Sequence, residues 1–144
     1  WWFEQNVPGL RGQIQRSAAY LVFPNVAEWG ILFGGGEFGR GELSRPNGVQ
    51  IGWGAMNTGS VGLQAGVRGF KMLMVIQDEA TLNELRRNQL SGSVNAIGVV
   101  GESGGGSTVP FQDGVAVYQG ADSGLMAGVN VSLEYIRYKS LAAE

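Results

Sequence analysis

The chain has 144 residues and a formal net charge of -2, with 15 % charged and 44 % hydrophobic side chains. That length suits one domain with a real core, here taken as 1–144, and that balance argues against both a disordered chain and one built to bind polyanions. Cysteine and histidine are absent, which removes disulfides, thiol catalysis, and the commonest general base and metal ligand.

Trp1, Trp2 and Phe3 open the chain, with neither an initiator Met nor a signal-peptide layout, so it reads as trimmed. Pro8 suits the first turn of a helix. Leu10, Ile14 and Ala18 recur at spacing four opposite Arg11, Gln15 and Ser17, which predicts a short amphipathic helix with Arg11 and Arg16 on or near its polar side. Ala19 to Phe23 predicts a buried strand ended by Pro24-Asn25.

The rest of the chain is organised around the stretch from Trp29 to Glu42. An apolar strand signal at Trp29, Ile31 and Phe33 leads into Gly34-Gly35-Gly36, and Phe38 and Arg40 then alternate with Gly39 and Gly41. One side of that strand carries almost no side chain, so either a neighbouring strand or a ligand lies close against it. Arg45-Pro46-Asn47-Gly48 predicts a hairpin turn, followed by period-two alternation over Val49 to Met56 and again over Val61 to Arg68. Glycine at alternate positions of both strands permits strong coiling of the sheet.

Met72 to Ile76 is uniformly apolar, which predicts a central strand covered on both faces. Asp78 predicts an N-cap for a helix through Asn88, with Leu82 and Leu85 inward, Glu79 early, and Arg86 and Arg87 late. Ser93 to Val100 reads as strand, Gly101 to Ser107 as loop, Val115 to Tyr118 as strand and Gly120 to Gly124 as turn. Leu125 to Tyr138 reads as one long strand or two, with Ile136 out of phase, and the tail from Lys139 is expected to fray. No apolar run approaches the roughly 20 residues a membrane-spanning helix needs.

Three local motifs have bland readings. Gly34 to Gly39 satisfies G-x-G-x-x-G, yet hairpin sequence comes next where a dinucleotide site needs a helix, and residues 55–60 hold no carboxylate. Gly101-Glu102-Ser103-Gly104-Gly105 satisfies G-x-S-x-G without any histidine to serve as base. The carboxylate pairs Glu37 with Glu42 and Asp113 with Asp122 match no metal loop. Catalytic residues, a metal and a cofactor are therefore not expected, and the scattered Lys and Arg argue against nucleic acid.

Three segments in order resemble the SYLF domain family of lipid-binding modules. They are Ala18 to Val26 leading to Gly30-Ile31-Leu32-Phe33-Gly34-Gly35-Gly36 and Gly39-Arg40-Gly41; Val61-Gly62-Leu63-Gln64-Ala65-Gly66-Val67; and Gly124-Leu125-Met126-Ala127-Gly128. Many members carry a Lys before that last motif, where this chain has Ser123. The composition and the resemblance together lead to an α+β fold: a strongly curved, barrel-like antiparallel sheet with two flanking helices.

The resemblance implies a non-enzymatic phospholipid-binding domain acting at an anionic membrane surface or envelope, with periplasmic or outer-membrane placement as in the bacterial exported branch. Trp1, Trp2 and Phe3 are expected to insert shallowly at the interface, Arg11, Arg16 and Arg40 to meet phosphates, and Leu125 and Met126 to join the lipid-binding set. The alternative is a protein-interaction or scaffold module, actin-related in eukaryotic relatives.

Overall fold

The computed structural model describes residues 2–26, 37–57, 70–95, 97–100, 108–121 and 130–141. Helices α1 (Trp2–Asn6) and α2 (Leu10–Gln15) precede strands β1 (Ala19–Val26), β2 (Glu37–Ser44), β3 (Gln50–Asn57) and β4 (Phe70–Ile76). Helix α3 (Glu79–Arg86) is followed by β5 (Ser93–Asn95), β6 (Ile97–Val100), β7 (Val115–Ala121), β8 (Asn130–Ser132), a 3-10 turn (Leu133–Tyr135) and β9 (Arg137–Ser140). The main sheet has seven strands in the order β6-β7-β4-β1-β2-β3-β9, and β5 pairs with β8 in a separate ribbon. Every neighbouring pair is antiparallel except β6 with β7.

The α+β class and the antiparallel sheet are as expected, but the described strands form an open sheet. β6 and β9 are its two edges, and no pairing joins them among the described residues. Its ladders carry register shifts. One lies in β1 between Phe23 and Val26, where Pro24 cannot donate to the ladder, and the strand runs on through it rather than ending there.

Each predicted element shifts for a local reason. The N-terminal helix is two helices: Gly9 adopts a left-handed φ of 85°, so α2 starts at Leu10 and α1 occupies the aromatic residues before it. Ala18 is already tied to the sheet, its N–H donating to the Ile76 carbonyl. Three described helices thus replace two. α3 matches its prediction: Asp78 Oδ1 accepts from the Thr81 N–H at 2.9 Å, and Leu82 and Leu85 are buried. Its far end closes in a Schellman arrangement, with Asn88 left-handed and the N–H groups of Asn88 and Gln89 donating to the carbonyls of Leu85 and Glu84.

Residues 93–100 serve two sheets rather than one strand. The out-of-phase Ile136 comes after the 3-10 turn, which resets the alternation so that Val131, Leu133 and Ile136 all reach the core. Lys139 does not fray: β9 pairs along β3, Gly52 with Ser140 and Trp53 with Lys139. The bend at residues 34–36, the strand at 61–68, the loop at 101–107 and the motif at 124–128 lie outside the described residues.

The sheet is packed on both faces around β4, whose residues Met72 to Ile76 are all fully buried. Met72, Met74 and Ile76 face α3 and the β5-β8 ribbon, in a cluster with Leu21, Phe23, Leu43, Leu82 and Leu85. Leu73 and Val75 face α1 and α2, in a second cluster with Phe3, Leu10, Ile14 and Tyr118. A buried polar ring ties α2 to the sheet. The Tyr118 hydroxyl donates to Gln13 Oε1 at 2.6 Å, Gln13 Nε2 donates to the Val109 carbonyl at 2.7 Å, and the Val109 N–H donates to the Tyr118 oxygen at 2.9 Å. Burial pushes the Tyr118 phenol above its ordinary range, against the lowering effect of those bonds.

Candidate functional site

The bare side of β2 and β3 turns out to be the core side. A Cβ on Gly41 would lie 2.7 Å from the Val22 carbonyl oxygen and 2.9 Å from the Phe23 ring, and one on Gly54 would lie 2.7 Å from Leu21 Cδ2. The strand's own neighbour therefore fills the space at Gly41, and large side chains from β1 reach over glycines that could not hold a core residue. Leu43 and Met56 join the core on that side, while Arg40, Glu42 and Trp53 point the other way.

Register shows what that outward face holds. Val22 pairs with both Glu42 and Leu73, Glu42 with Trp53, Arg40 with Ala55, Trp53 with Lys139, and Ala55 with Arg137. Directly opposed residues share a face. Arg40, Glu42, Trp53, Arg137 and Lys139 thus continue the helix-covered face beyond the helices, and all but the half-buried Trp53 are exposed. The Arg40 guanidinium stands 5.9 Å from the Trp53 ring centroid, and Trp53 Nε1 is buried without a hydrogen-bond partner. The result is a cationic, aromatic strip beyond the described helices.

Where helices give way to strip, a cleft of about 410 Å³ opens. Trp2, Phe3, Val22 and Phe23 supply its apolar wall, and Lys71, Glu42 and Ser44 its polar lining. The Lys71 ammonium lies 5.2 Å from the Trp2 ring centroid, and Trp2 meets Phe3 edge-on at 5.0 Å. Gly120 admits Trp2: a Cβ there would lie 2.4 Å from the indole. Tyr20 lines the same cleft, its phenol pushed up by burial and by the negative charges of Glu4 and Glu42, while the Ser44 hydroxyl pulls the other way. A smaller space of about 290 Å³ adjoins it, lined by Glu4, Arg11 and the Pro46-Asn47-Gly48 turn.

The expected site residues separate on this surface. Trp2 is half-buried at the cleft, whereas Phe3 is 2 % exposed and belongs to the core, so it is not placed for shallow insertion. Arg11 donates from Nε to Glu4 Oε2 at 2.9 Å, which holds the Glu4 carboxyl below its ordinary range. Arg16 is exposed at the end of α2, and Arg40 lies on the strip. Trp1, Leu125 and Met126 lie outside the described residues. Local sequence reading missed Lys71, Glu42, Arg137 and Lys139. The signal that could have found two of the strip's residues is the glycine alternation itself, which marks Arg40 and Glu42 as the outward residues of β2.

Among the described residues, no group of three or more acidic side chains could hold a metal ion, and no helix is long and apolar enough to cross a membrane. The described molecule is a mixed α+β domain whose sheet leaves part of one face outward. A family model, Ysc84, described as "Las17-binding protein actin regulator", matches residues 57–142. That is more than half of the chain, and the chain belongs to this family, the SYLF domain family. No curated protein and no solved structure matches the chain. The matched region includes Lys71, Arg137 and Lys139, while Trp2, Arg11 and Arg40 precede it.

Proposed function

We propose that this domain binds phospholipid without carrying out a reaction, docking the outward strip of β2, β3 and β9 on an anionic membrane surface or envelope. The observation that carries the reading is the strip itself: Arg40, Arg137 and Lys139 share one exposed face with Trp53, with Glu42 as the opposing charge. Cations near an anionic leaflet contribute about 1 kcal/mol each, and an indole suits the interface. Lys71 and Trp2 extend the same character to the cleft. Periplasmic or outer-membrane placement belongs to this reading as the family's exported branch implies it.

Vesicle co-sedimentation tests it. The protein is expected to pellet with phosphatidylglycerol-rich vesicles at low salt and to stay in solution at high salt. An Arg40→Ala/Lys139→Ala double variant, losing two such cations, is expected to bind about 30-fold more weakly. Absence of binding to any vesicle overturns the reading. The family's description favours a second one, in which the same strip takes an acidic protein partner. Retained pull-down of such a partner by a protein that ignores vesicles is its signature.

A further inference from the structure

The tip of the β2-β3 hairpin carries chemistry that neither the strip nor the cleft uses. We propose that Asn47 is a site of spontaneous deamidation, in which the Gly48 main-chain nitrogen attacks the side-chain amide at a rate set by opening of the turn. The nitrogen, having lost its proton to base, bonds to Asn47 Cγ, and the amide nitrogen leaves as ammonia, which closes a cyclic imide. Water then opens either C–N bond of that ring. The product is aspartate or, where the original main-chain bond is cut, isoaspartate; water is the only co-reactant.

Three observations single Asn47 out. Of the chain's eight asparagines it alone precedes glycine, whose nitrogen no side chain screens. Asn47 and Gly48 are both exposed, and a Cβ on Gly48 would meet nothing within 4 Å, so water and base reach the reacting atoms. The Val49 N–H donates to Asn47 Oδ1 at 3.0 Å, which places a donor where negative charge gathers as the nitrogen attacks. One bond opposes the reaction: the Gly48 N–H donates to the Arg45 carbonyl at 2.8 Å and closes the turn. While it stands the nitrogen keeps its proton, so only the open turn reacts. Pro46, whose ring fixes φ at the turn's second position, favours the closed form and so sets the pace.

The product matters because of where it forms. Asn47 lines the space of about 290 Å³ beside the cleft, together with Glu4 and Arg11. Arg11 already serves Glu4 there. Deamidation therefore adds a second carboxylate to a space that holds one acid against one cation, and a balanced lining becomes an acidic one.

Peptide mapping by mass spectrometry, on the intact folded chain kept in mildly alkaline buffer, tests the assignment. Asn47 is expected to gain the mass of an acid in place of an amide before any other asparagine does, and to yield aspartate and isoaspartate together. Pro46→Ala, which loosens the turn without touching the reacting atoms, should speed the conversion about threefold, the worth of a turn-fixing proline expressed as a population of open turn. Asn47 keeping its amide over weeks, another asparagine converting first, a product free of isoaspartate, or an unchanged rate in Pro46→Ala each overturns it.

Discussion

One face of the sheet is built in two ways. Under α1 and α2 it carries Leu73, Val75, Ala116 and Tyr118, all buried; across β2, β3 and β9 the same face carries Arg40, Glu42, Arg137 and Lys139, all exposed. β1 is the border, with half-buried Tyr20 and Val22 leading into the cleft. The difference lies in which face each strand uses to join the core. β4 is covered on both faces, whereas β2 and β3 join through Leu43, Met56 and glycines overlain by Leu21, Phe23 and Tyr138, leaving Arg40 and Glu42 exposed on their second face. Close backbone approach on one side thus releases side chains on the other.

The sharpest test of that division pairs two truncations on one face. Leu73→Ala, in the fully buried centre of β4, is expected to cost about 2–5 kcal/mol in chemical denaturation, while Arg40→Ala on the strip should stay within about 0.5 kcal/mol. Equal costs would mean that the two halves are not distinct. Gly41→Ala comes next. Its Cβ would press on the Val22 carbonyl oxygen, a backbone atom that cannot swing aside, and a loss of about 1–3 kcal/mol is expected. A neutral result would show that the glycine side has room to spare.

A smaller effect of opposite sign is expected on the α3-facing side. Gln119 is fully buried beside Met72, and neither of its side-chain polar atoms has a hydrogen-bond partner. Gln119→Met keeps the shape and removes the unpaired amide, so a gain of about 1 kcal/mol is expected in the denaturation midpoint. A loss would reveal a polar role for that side chain.

The smallest effect concerns how the helices are tied together. Because Arg11 holds the Glu4 carboxyl below its ordinary value of 4.5, the stabilisation is complete above that value and is lost as the pH falls through the lower folded value. Wild type should therefore lose slightly more thermal stability than Arg11→Ala on acidification from about pH 5. The pair is exposed, so the difference is small.

Several elements could be read directly because their signals are local. Met72 to Ile76 spell a two-sided strand, and Asp78 with Leu82 and Leu85 spell a capped helix. The helix division at Gly9 was less visible, since a lone glycine after a proline fits a helix start as well as a left-handed turn. Strand β9 was hidden for a different reason: nothing in Arg137 to Ser140 announces a partner at Gly52 to Ala55. The candidate site divides likewise. Arg40 stood out beside its glycines, whereas Lys71, Trp53 and Lys139 join it only through register between distant segments, and Phe3 looked like an interfacial aromatic until the fold placed it in the core.

The pairing of β3 with β9 also has a consequence during synthesis. The outer edge of β3 must wait for residues 137–140 to emerge before its backbone groups find their partners. Until then a nascent chain presents a naked strand, the template on which β-rich polypeptides stick to one another. Trp53 lies on that strand, so its emission as translation finishes would report when the last strand arrives.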